Sequence, residues 1–481
     1  MTSAAPSLYA AHQKIHPKYQ PGFFRWIKWA TLWFLLGIYY LVPLIRWDRG
    51  PDVPDQAVLF DLPARKFYIF DLVIWPQEIF LLVFVLIIAA VGLFFITALA
   101  GRVFCGYICF QTVWTDLFIY AEKWIEGDRN RRIRLDKSPW NARKITIKVT
   151  KHLAWLVISL ATGGAFTFYF ADAPTLFLEF LTGTAPYAAW FTLAFLTLTT
   201  YTMAGLAREQ VCLYMCPYAR FQGAMFDEDT LLIAYDEGRG EPRVGNRRQR
   251  RKDPRAAGDC IDCMECVRVC PTGIDIRDGQ QYQCITCAAC IDACDSVMDR
   301  VKRPHGLIRY TSSRGLQGLK TRIIRTRVVV YTAIMVLAAV ALAWQLQAQV
   351  LLEMSVIRHR KPVFIQQSDG AIQNNFTVRI LNRTPKNLTY HLTVDGLPGG
   401  RMKVGASNIW QAVQTDPSTN APAKEVGHLL SVGSGEAIPF SIYLRQPPSH
   451  LEPGSTEITF HLQAVDDPTV ADGYTTVFMR P

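Results

Sequence analysis

Eight cysteines lie within residues 260–294, in two copies of one spacing. The first copy begins at Cys260 and reads C-I-D-C-M-E-C-V-R-V-C-P, and the second begins at Cys284 and reads C-I-T-C-A-A-C-I-D-A-C-D. Both have the form C-x2-C-x2-C-x3-C. A loop with this spacing brings three thiolates to one point, as in the bacterial ferredoxins that hold two [4Fe–4S] clusters. The spacing therefore predicts two such clusters with a ferredoxin-like fold around them.

In ferredoxins of this type, the fourth cysteine of each copy binds the cluster of the other copy. The predicted ligand sets are Cys260, Cys263, Cys266 and Cys294 for one cluster, and Cys284, Cys287, Cys290 and Cys270 for the other. The alternatives are a pair of zinc sites and a disulfide framework. Zinc motifs usually separate two C-x2-C pairs by a longer gap, and disulfides need an oxidising compartment, which the charge pattern argues against.

The rest of the chain is apolar enough to be a membrane protein. Half of the 481 residues are hydrophobic, and the net charge is +11. The basic residues flank long apolar runs, which is typical of an integral membrane protein and not of a nucleic-acid-binding protein. The basic run 245–255 is accordingly expected to be a solvated linker. Runs of the length that a bilayer requires predict about five spans, near residues 23–47, 78–100, 153–171, 187–206 and 328–347.

Basic and non-basic loops alternate along the chain. Segment 101–151 contains eleven Lys or Arg residues, segment 207–325 is also strongly basic, and loop 172–186 contains neither residue. Basic loops remain on the cytoplasmic side of a membrane. Five spans then place the clusters in the cytoplasm and the carboxyl terminus outside, in a multi-pass membrane protein. The family resemblance described below implies that this membrane is the bacterial inner membrane and the outer side the periplasm.

The last 130 residues have a different pattern. Segments such as F-T-V-R-I-L-N and S-T-E-I-T-F-H-L alternate apolar and polar residues between Asn, Gly and Pro. Short strands at this spacing predict an all-β, Ig-like sandwich. The expected organisation is a cytoplasmic tail (1–22), an α-helical transmembrane domain (23–235), a cytoplasmic ferredoxin-type domain with linkers (236–325), the fifth span (328–347) and a periplasmic Ig-like sandwich (350–481).

The remaining four cysteines form a second duplicated motif. V-F-C-G-Y-I-C-F and Q-V-C-L-Y-M-C-P contain Cys105, Cys109, Cys212 and Cys216, each pair just after an apolar run. Residues four apart on a helix share a face, so each pair is expected to chelate one soft metal ion such as copper, alone or as a joint four-thiolate site. Met215 is a weaker thioether candidate. The alternative is that these cysteines only pack where helices meet. His152 is a weaker candidate still, for haem or copper, since interfacial histidines are commonly just hydrogen-bonded.

Several of these motifs together resemble one known family. They are C-G-Y-I-C, R-E-Q-V-C-L-Y-M-C-P-Y-A-R-F-Q, Y-D-E-G-R-G-E-P-R, the cluster motifs with P-T-G-I-D-I-R-D-G, and G-L-I-R-Y. They resemble the CcoG (FixG/RdxA) family of cytochrome c oxidase accessory proteins over nearly the whole chain. In that family both membrane motifs read C-x3-C-P, whereas here Phe110 follows Cys109 and only Cys216 is followed by proline.

The resemblance implies a cupric reductase that supplies Cu(I) for assembly of cbb3-type cytochrome oxidase. Its implied partners are the lipid bilayer, oxidase assembly factors or copper chaperones and transporters, and an unidentified electron donor. The four membrane cysteines would be the catalytic copper site. Two alternatives stay open: a membrane ferredoxin that passes electrons between quinol or a soluble donor and another oxidoreductase, and a copper-binding assembly scaffold. The sequence leaves a homodimer open.

Overall fold

A computed structural model of the protein describes residues 14–49, 53–75, 78–243, 258–347, 351–384, 386–407, 409–413, 427–448 and 454–481. The basic run 245–255 and the first part of the expected tail lie outside these residues. The chain forms two compact units. One consists of residues up to 46 together with 56–344, and the other of residues 47–55 together with 345–481.

The first unit is mostly helical. Its helices are α1 (Phe23–Leu41), α2 (Phe80–Ala100), α3 (Val103–Tyr107), α4 (Phe110–Glu126), α5 (Arg129–Lys137), α6 (Ala142–Thr167), α7 (Ala173–Thr182), α8 (Tyr187–Thr200), α9 (Pro217–Met225), α10 (Glu237–Gly240), α11 (Glu265–Val269), α12 (Ala289–Val301), α13 (Ser313–Leu316) and α14 (Thr326–Gln347). Two wider π-helical segments follow α8, at Tyr201–Ala207 and Val211–Met215.

Among the described residues, six helices are long and apolar enough to cross a membrane by length and composition, one more than the predicted count of about five spans. The additional candidate is Val103–Glu126, which comprises α3 and α4. Its acidic residues Asp116, Glu122 and Glu126 interrupt the apolar pattern, and all three are buried beside basic partners. The expected class, an α-helical membrane domain, is confirmed.

The first unit also contains small antiparallel sheets. Strands β1 (Val58–Asp61), β2 (Lys66–Ile69) and β3 (Leu72–Ile74) form one sheet, and β4 (Leu232–Tyr235) pairs with β5 (Ile308–Thr311) in another. The β4–β5 pair brings together the chain on either side of the cysteine-rich insert. Ile233 and Ile308 then pack with Ile291, Val297 and the cysteines in one core. The β4–β5 pair thus joins the two ends of the insert and contributes to its core.

The amino end of α1 is attached to this insert. Asp292 on α12 accepts hydrogen bonds from the backbone N–H groups of Phe24 and Arg25, at 3.2 and 2.8 Å. These N–H groups belong to the first turn of α1, which has no partner of its own there. A carboxylate is favourable at this position because the amino end of a helix is electropositive. The membrane helix and the insert are therefore tied together directly.

The second unit contains the predicted all-β sandwich, which is confirmed. Its strands are β6 (Leu352–Arg358), β7 (Ile365–Gln366), β8 (Ile372–Asn382), β9 (Leu388–Asp395), β10 (Arg401–Val404), β11 (Gln411–Ala412), β12 (His428–Val432), β13 (Ala437–Gln446), β14 (Ser455–Ala464) and β15 (Ala471–Met479). One sheet has the order β11-β10-β13-β8-β6, with β7 also on β8, and the other β12-β9-β14-β15. Alternate residues such as Tyr390, Leu392 and Val394 point into the core, as period-two strands require.

Candidate iron–sulfur and thiol sites

The first predicted ligand set is brought together by the fold. Cys260, Cys263 and Cys266 lie in one loop, and Cys294 on α12 interacts electrostatically with all three. Burial, and then these neighbouring sulfurs, raise the pKa of the Cys294 thiol to about 12. The crossed arrangement predicted for Cys294 is therefore present in the geometry. Ligation itself stays a prediction.

The second set is arranged in the same way. Cys284, Cys287 and Cys290 share a loop, and Cys270 from the first motif interacts with Cys287 and Cys284. Burial raises the pKa of the Cys284 thiol to about 12 and that of Cys290 well above its usual value. A buried thiol of this kind loses its proton when a cation takes the proton's place, and coordinating thiols are deprotonated outright. In both sets, therefore, burial disfavours an uncompensated thiolate and favours a thiolate that is bound to a cation such as the iron of a cluster.

Both cysteine loops share an unusual backbone conformation. The residues on either side of the middle cysteine have positive φ: Asp262 and Met264 in the first loop (54° and 60°), and Thr286 and Ala288 in the second (56° and 59°). Left-handed residues other than glycine are uncommon and cost about 1–3 kcal/mol each, so they persist only where the surroundings enforce them. Alternation with left-handed residues curls the loop and makes a concavity of backbone N–H groups that suits anionic groups such as iron–sulfur clusters. This repeated curl independently supports a cluster in each loop.

Nearby side chains brace the two loops. Arg277 is buried and donates to the Asp262 carboxylate and the Met264 sulfur, both at 2.6 Å. The Tyr310 hydroxyl donates to the Thr286 carbonyl oxygen at 2.7 Å. Each brace thus holds a left-handed residue. Sequence reasoning did not assign either residue a role, although both occur in quoted motifs, I-D-I-R-D and G-L-I-R-Y.

The spacing predicted that the two cysteines of each membrane motif share one helix face. The structure does not place them in this way. Cys105 lies in α3, but Cys109 lies in the break between α3 and α4. At the break, the Cys105 carbonyl oxygen accepts a hydrogen bond from the Thr112 hydroxyl at 2.5 Å, and the Cys109 N–H group donates to the Phe104 carbonyl oxygen at 2.9 Å. Cys212 lies in the second π-helical segment, and Cys216 follows it in extended backbone. A helix cannot continue through the next residue, a proline, which lacks an N–H group.

The second cysteine of each motif immediately precedes a helix. Cys109 (φ −55°, ψ 127°) caps α4, and Cys216 (φ −82°, ψ 111°) caps α9. Phe110 therefore occupies the same first helical position as Pro217, and its substitution leaves the turn in place. Backbone N–H groups at the start of α4 donate to the Cys109 sulfur. The second sulfur of each motif therefore lies where a helix begins.

The two motifs interlock. Gln222 on α9, the helix of the second motif, lies 3.5–3.6 Å from the Cys105 sulfur and accepts a hydrogen bond from Arg102 at 2.6 Å. Burial, followed by the charges of Cys109 and Cys105, raises the pKa of the Cys212 thiol to about 12. The fold thus brings the four cysteines within electrostatic range of one another. No sequence signal pointed to Gln222, because its role depends on packing between distant segments.

The first membrane motif contacts the second cluster loop. A Cβ on Gly106 would lie 2.7 Å from the Ile285 carbonyl oxygen and 3.1 Å from the Cys287 Cα atom. The neighbouring Tyr107 hydroxyl donates to the Cys287 carbonyl oxygen at 3.2 Å. The absence of a side chain at Gly106 is what permits this approach. The two cysteine sets are therefore adjacent through C-G-Y-I-C.

The positions of the weaker candidates, Met215 and His152, give less support to a role as metal ligands. The Met215 side chain is largely exposed. His152 shares a 2.7 Å hydrogen bond between its Nδ1 and the Tyr201 hydroxyl, and its ring packs on Trp155. Among the described residues, no group of three or more His, Cys, Asp and Glu side chains is arranged to hold a single ion. A cubane cluster does not need such a group, since each of its irons takes one protein thiolate.

Comparison with known proteins agrees with this architecture. Residues 207–313 match the family model of a 4Fe-4S dicluster domain, residues 82–132 that of a 4Fe-4S binding domain, and residues 342–481 that of the Ig-like fold at the C-terminus of FixG. A solved structure of a FixG-related protein from Vibrio parahaemolyticus covers 27% of this chain and 96% of its own, at 21% identity and a TM-score of 0.21, too low for a structural argument.

Full-length relatives extend the match across the chain. The nitrogen fixation protein FixG of Rhizobium meliloti is 44% identical over 480 residues, with 92% of each chain covered. Protein RdxA of Cereibacter sphaeroides is 47% identical over 409 residues, with 83% of this chain and 86% of RdxA covered. The chain therefore belongs to the FixG/RdxA family and is a membrane-embedded iron–sulfur protein of electron transfer.

Proposed function

We propose that the protein passes electrons from its two clusters to the four membrane cysteines, where Cu(II) is reduced to Cu(I). The observation that carries this proposal is the contact of Gly106 and Tyr107 with the backbone at Ile285–Cys287. It makes the C-x3-C motif a direct neighbour of the second cluster loop. The clusters, when bound, supply one electron at a time, which matches the one-electron reduction of copper.

The chain's own residues favour the reduced product. Thiolates are soft ligands and select Cu(I) over hard cations. Cys109 and Cys216 each cap the amino end of a helix, and Gln222 contacts the Cys105 sulfur. Cu(I) accepts as few as two thiolates, so pairs of these cysteines suffice. Following the resemblance described above, the recipient would be the copper site of a cbb3-type oxidase, through assembly factors or copper carriers.

A double substitution tests the copper site. Replacing Cys212 and Cys216 by Ser keeps the size and polarity of the side chains but removes the soft donors. We expect Cu(I) binding to be lost while iron and sulfide content and the cluster EPR signals stay unchanged. Cys263→Ser is the matched control, because it should impair a cluster and slow Cu(II) reduction but leave Cu(I) binding intact. If the quadruple Cys→Ser variant of the membrane set reduces Cu(II) at the wild-type rate, copper is reduced elsewhere.

One observation favours a second function for the same cysteines. Residues 82–132, which include Cys105 and Cys109, match the model of a 4Fe-4S binding domain. The four membrane cysteines would then be part of an electron relay, and the protein a membrane ferredoxin for another oxidoreductase. Counting iron and copper on one anaerobic sample separates the two functions, since copper bound at these cysteines supports reduction and additional iron supports the relay.

We also propose that the clusters face the cytoplasm and that residues 350–481 lie in the periplasm. This sidedness requires that Val103–Glu126 does not cross the membrane, and the buried ion pairs of Asp116 and Glu122 support that position. Reporter fusions after Asp278 should then behave as cytoplasmic, and fusions near Gly435 as periplasmic. With a cytoplasmic amino terminus, a periplasmic fusion after Asp278 and a cytoplasmic fusion near Gly435 would mean that all six helices cross.

A further inference from the structure

An apolar groove of about 880 Å³ lies between α6 and the helical segment Tyr187–Ala207. Most of its lining is aliphatic or aromatic, including Leu156, Leu160 and Trp190. Its volume is in the range of sites for small organic ligands, about 300–1,000 Å³. Both helices are candidate membrane spans, so a ligand would reach the groove from the bilayer.

One end of the groove is polar. His152 and Tyr201, joined by their 2.7 Å hydrogen bond, line it, as does Thr197 one helical turn before Tyr201. The Thr197 hydroxyl itself is buried beside Gly163 of α6 and does not face the groove. The groove therefore combines a long apolar surface with two hydrogen-bonding side chains, His152 and Tyr201, at a single end.

A chain of acid–base groups connects this end with the surface. Lys148 lines the groove and contacts the Glu126 carboxylate at 2.7 Å and the Asp136 carboxylate at 2.6 Å. The Glu126 Oε2 atom is buried and, among the described residues, accepts no hydrogen bond. Asp136 is partly exposed to solvent. Lys148 lies one helical turn before His152 on α6, so this charged group lies beside the polar end of the groove.

Aromatic side chains pack between the polar end of the groove and α4. The His152 ring contacts Trp155, with 5.1 Å between ring centroids, and Trp155 contacts Phe118 at 5.4 Å. Phe118 belongs to α4, the helix that begins just after Cys109. The groove is therefore linked by packed side chains to the helix that carries the thiol site.

We propose that this groove binds a lipid-soluble hydroquinone and that the hydroquinone is the electron donor to the clusters. The proposal rests on the electron-transfer function given above and names its missing substrate. Oxidation of one hydroquinone to the quinone releases two electrons and two protons. Each of the two clusters accepts one electron, and the protons leave through His152 and the Lys148–Glu126–Asp136 group. The isoprenoid tail of the hydroquinone occupies the apolar part of the groove.

The test uses the full chain in nanodiscs of quinone-free phospholipid, under anaerobic conditions. Decylubiquinol or a menaquinol analogue is added, and bleaching of the cluster absorbance is followed. At least one of the two should reduce the wild-type clusters. His152→Gln should slow the reaction about 100-fold, the typical contribution of a positioned proton acceptor. Leu156→Trp, which fills the groove, should slow it as well, whereas Leu337→Trp on the exposed face of α14 should not.

Reduction by dithionite separates this proposal from the function on which it rests. All variants should be reduced normally by dithionite, which shows intact clusters, and Cu(II) reduction by the dithionite-reduced protein then tests the copper function alone. Failure of both hydroquinones with the wild type would overturn the donor proposal, as would a Leu156→Trp variant that reacts at the wild-type rate. Native mass spectrometry that finds only phospholipid in the groove, undisplaced by excess quinone, would overturn it too.

Discussion

The cluster cysteines and the membrane cysteines are both duplicated motifs, but the fold assembles them differently. Each cluster loop supplies three sulfurs from seven consecutive residues, and its curl is local, with left-handed residues beside Cys263 and Cys287. The membrane set joins Cys105 and Cys212, more than a hundred residues apart, through helix breaks and the side chain of Gln222. The first site is encoded mainly by spacing and the second by packing. Substitutions should therefore act locally in the insert and at a distance in the membrane set.

The largest effect is expected from a cluster ligand. Cys294→Ser removes the one ligand of the first cluster that comes from outside its loop, so iron content should fall from about eight to about four per chain. Cys270→Ser should instead remove the cluster of Cys284, Cys287 and Cys290. Iron and sulfide analysis with EPR distinguishes the two losses. Cys109→Ser is the control and should leave both clusters unchanged.

The opposite result would contradict the predicted ligand sets of the two clusters. If Cys294→Ser eliminated the second cluster and spared the first, the crossed ligand sets would be wrong, and the grouping of Cys294 with Cys260, Cys263 and Cys266 would reflect packing alone.

A smaller effect is expected where the two sites meet. Gly106→Ala forces a methyl group against the Ile285 carbonyl oxygen, a backbone atom that cannot rotate away. Overpacking of this kind costs about 1–3 kcal/mol. We expect a lower unfolding temperature and slower transfer from dithionite-reduced clusters to added Cu(II). Gly223→Ala on α9 is the matched control, because nothing lies within 4 Å of its Cβ position.

Equal rates of Cu(II) reduction in the two glycine variants would show that this contact is not used for electron transfer. A loss of iron in Gly106→Ala would show that the contact also supports the cluster loop, which would weaken the distinction between local and long-range assembly.

The same distinction explains how much the sequence could predict. Cysteine spacing predicted both cluster groups, and strand periodicity predicted the sandwich, because both patterns are local. The i, i+4 spacing of Cys105 and Cys109 predicted a shared helix face wrongly, since the helix breaks at Cys109, where the Cys105 carbonyl oxygen accepts from the Thr112 hydroxyl. The sixth apolar helix was missed because buried partners compensate its acidic residues. Gln222 was not predicted as a site residue because its partner, Cys105, is distant in the sequence.

The smallest effect concerns local electrostatics at the end of α12. His305 Nε2 lies 2.5 Å from the Asp299 carboxylate, six residues earlier, and this hydrogen bond, together with the charge of Asp295, raises the pKa of His305 above its usual value of 6.5. Because the folded-state pKa exceeds that of the unfolded chain, the stabilisation is present below pH 6.5 and is lost as the pH rises through the folded-state value. Both side chains are exposed, so salt should weaken the interaction.

If the insert is as locally determined as its cysteine spacing indicates, Asp299→Asn should lower the His305 pKa, because it removes the carboxylate that accepts the hydrogen bond, while the charge of Asp295 remains. Titration of the His305 ring by NMR on histidine-labelled protein measures this directly. Cu(I) binding at the membrane cysteines and the cluster EPR signals should not change, since neither depends on this turn. A His305 pKa that is the same in Asp299→Asn as in the wild type would mean that other groups, and not this hydrogen bond, control the residue.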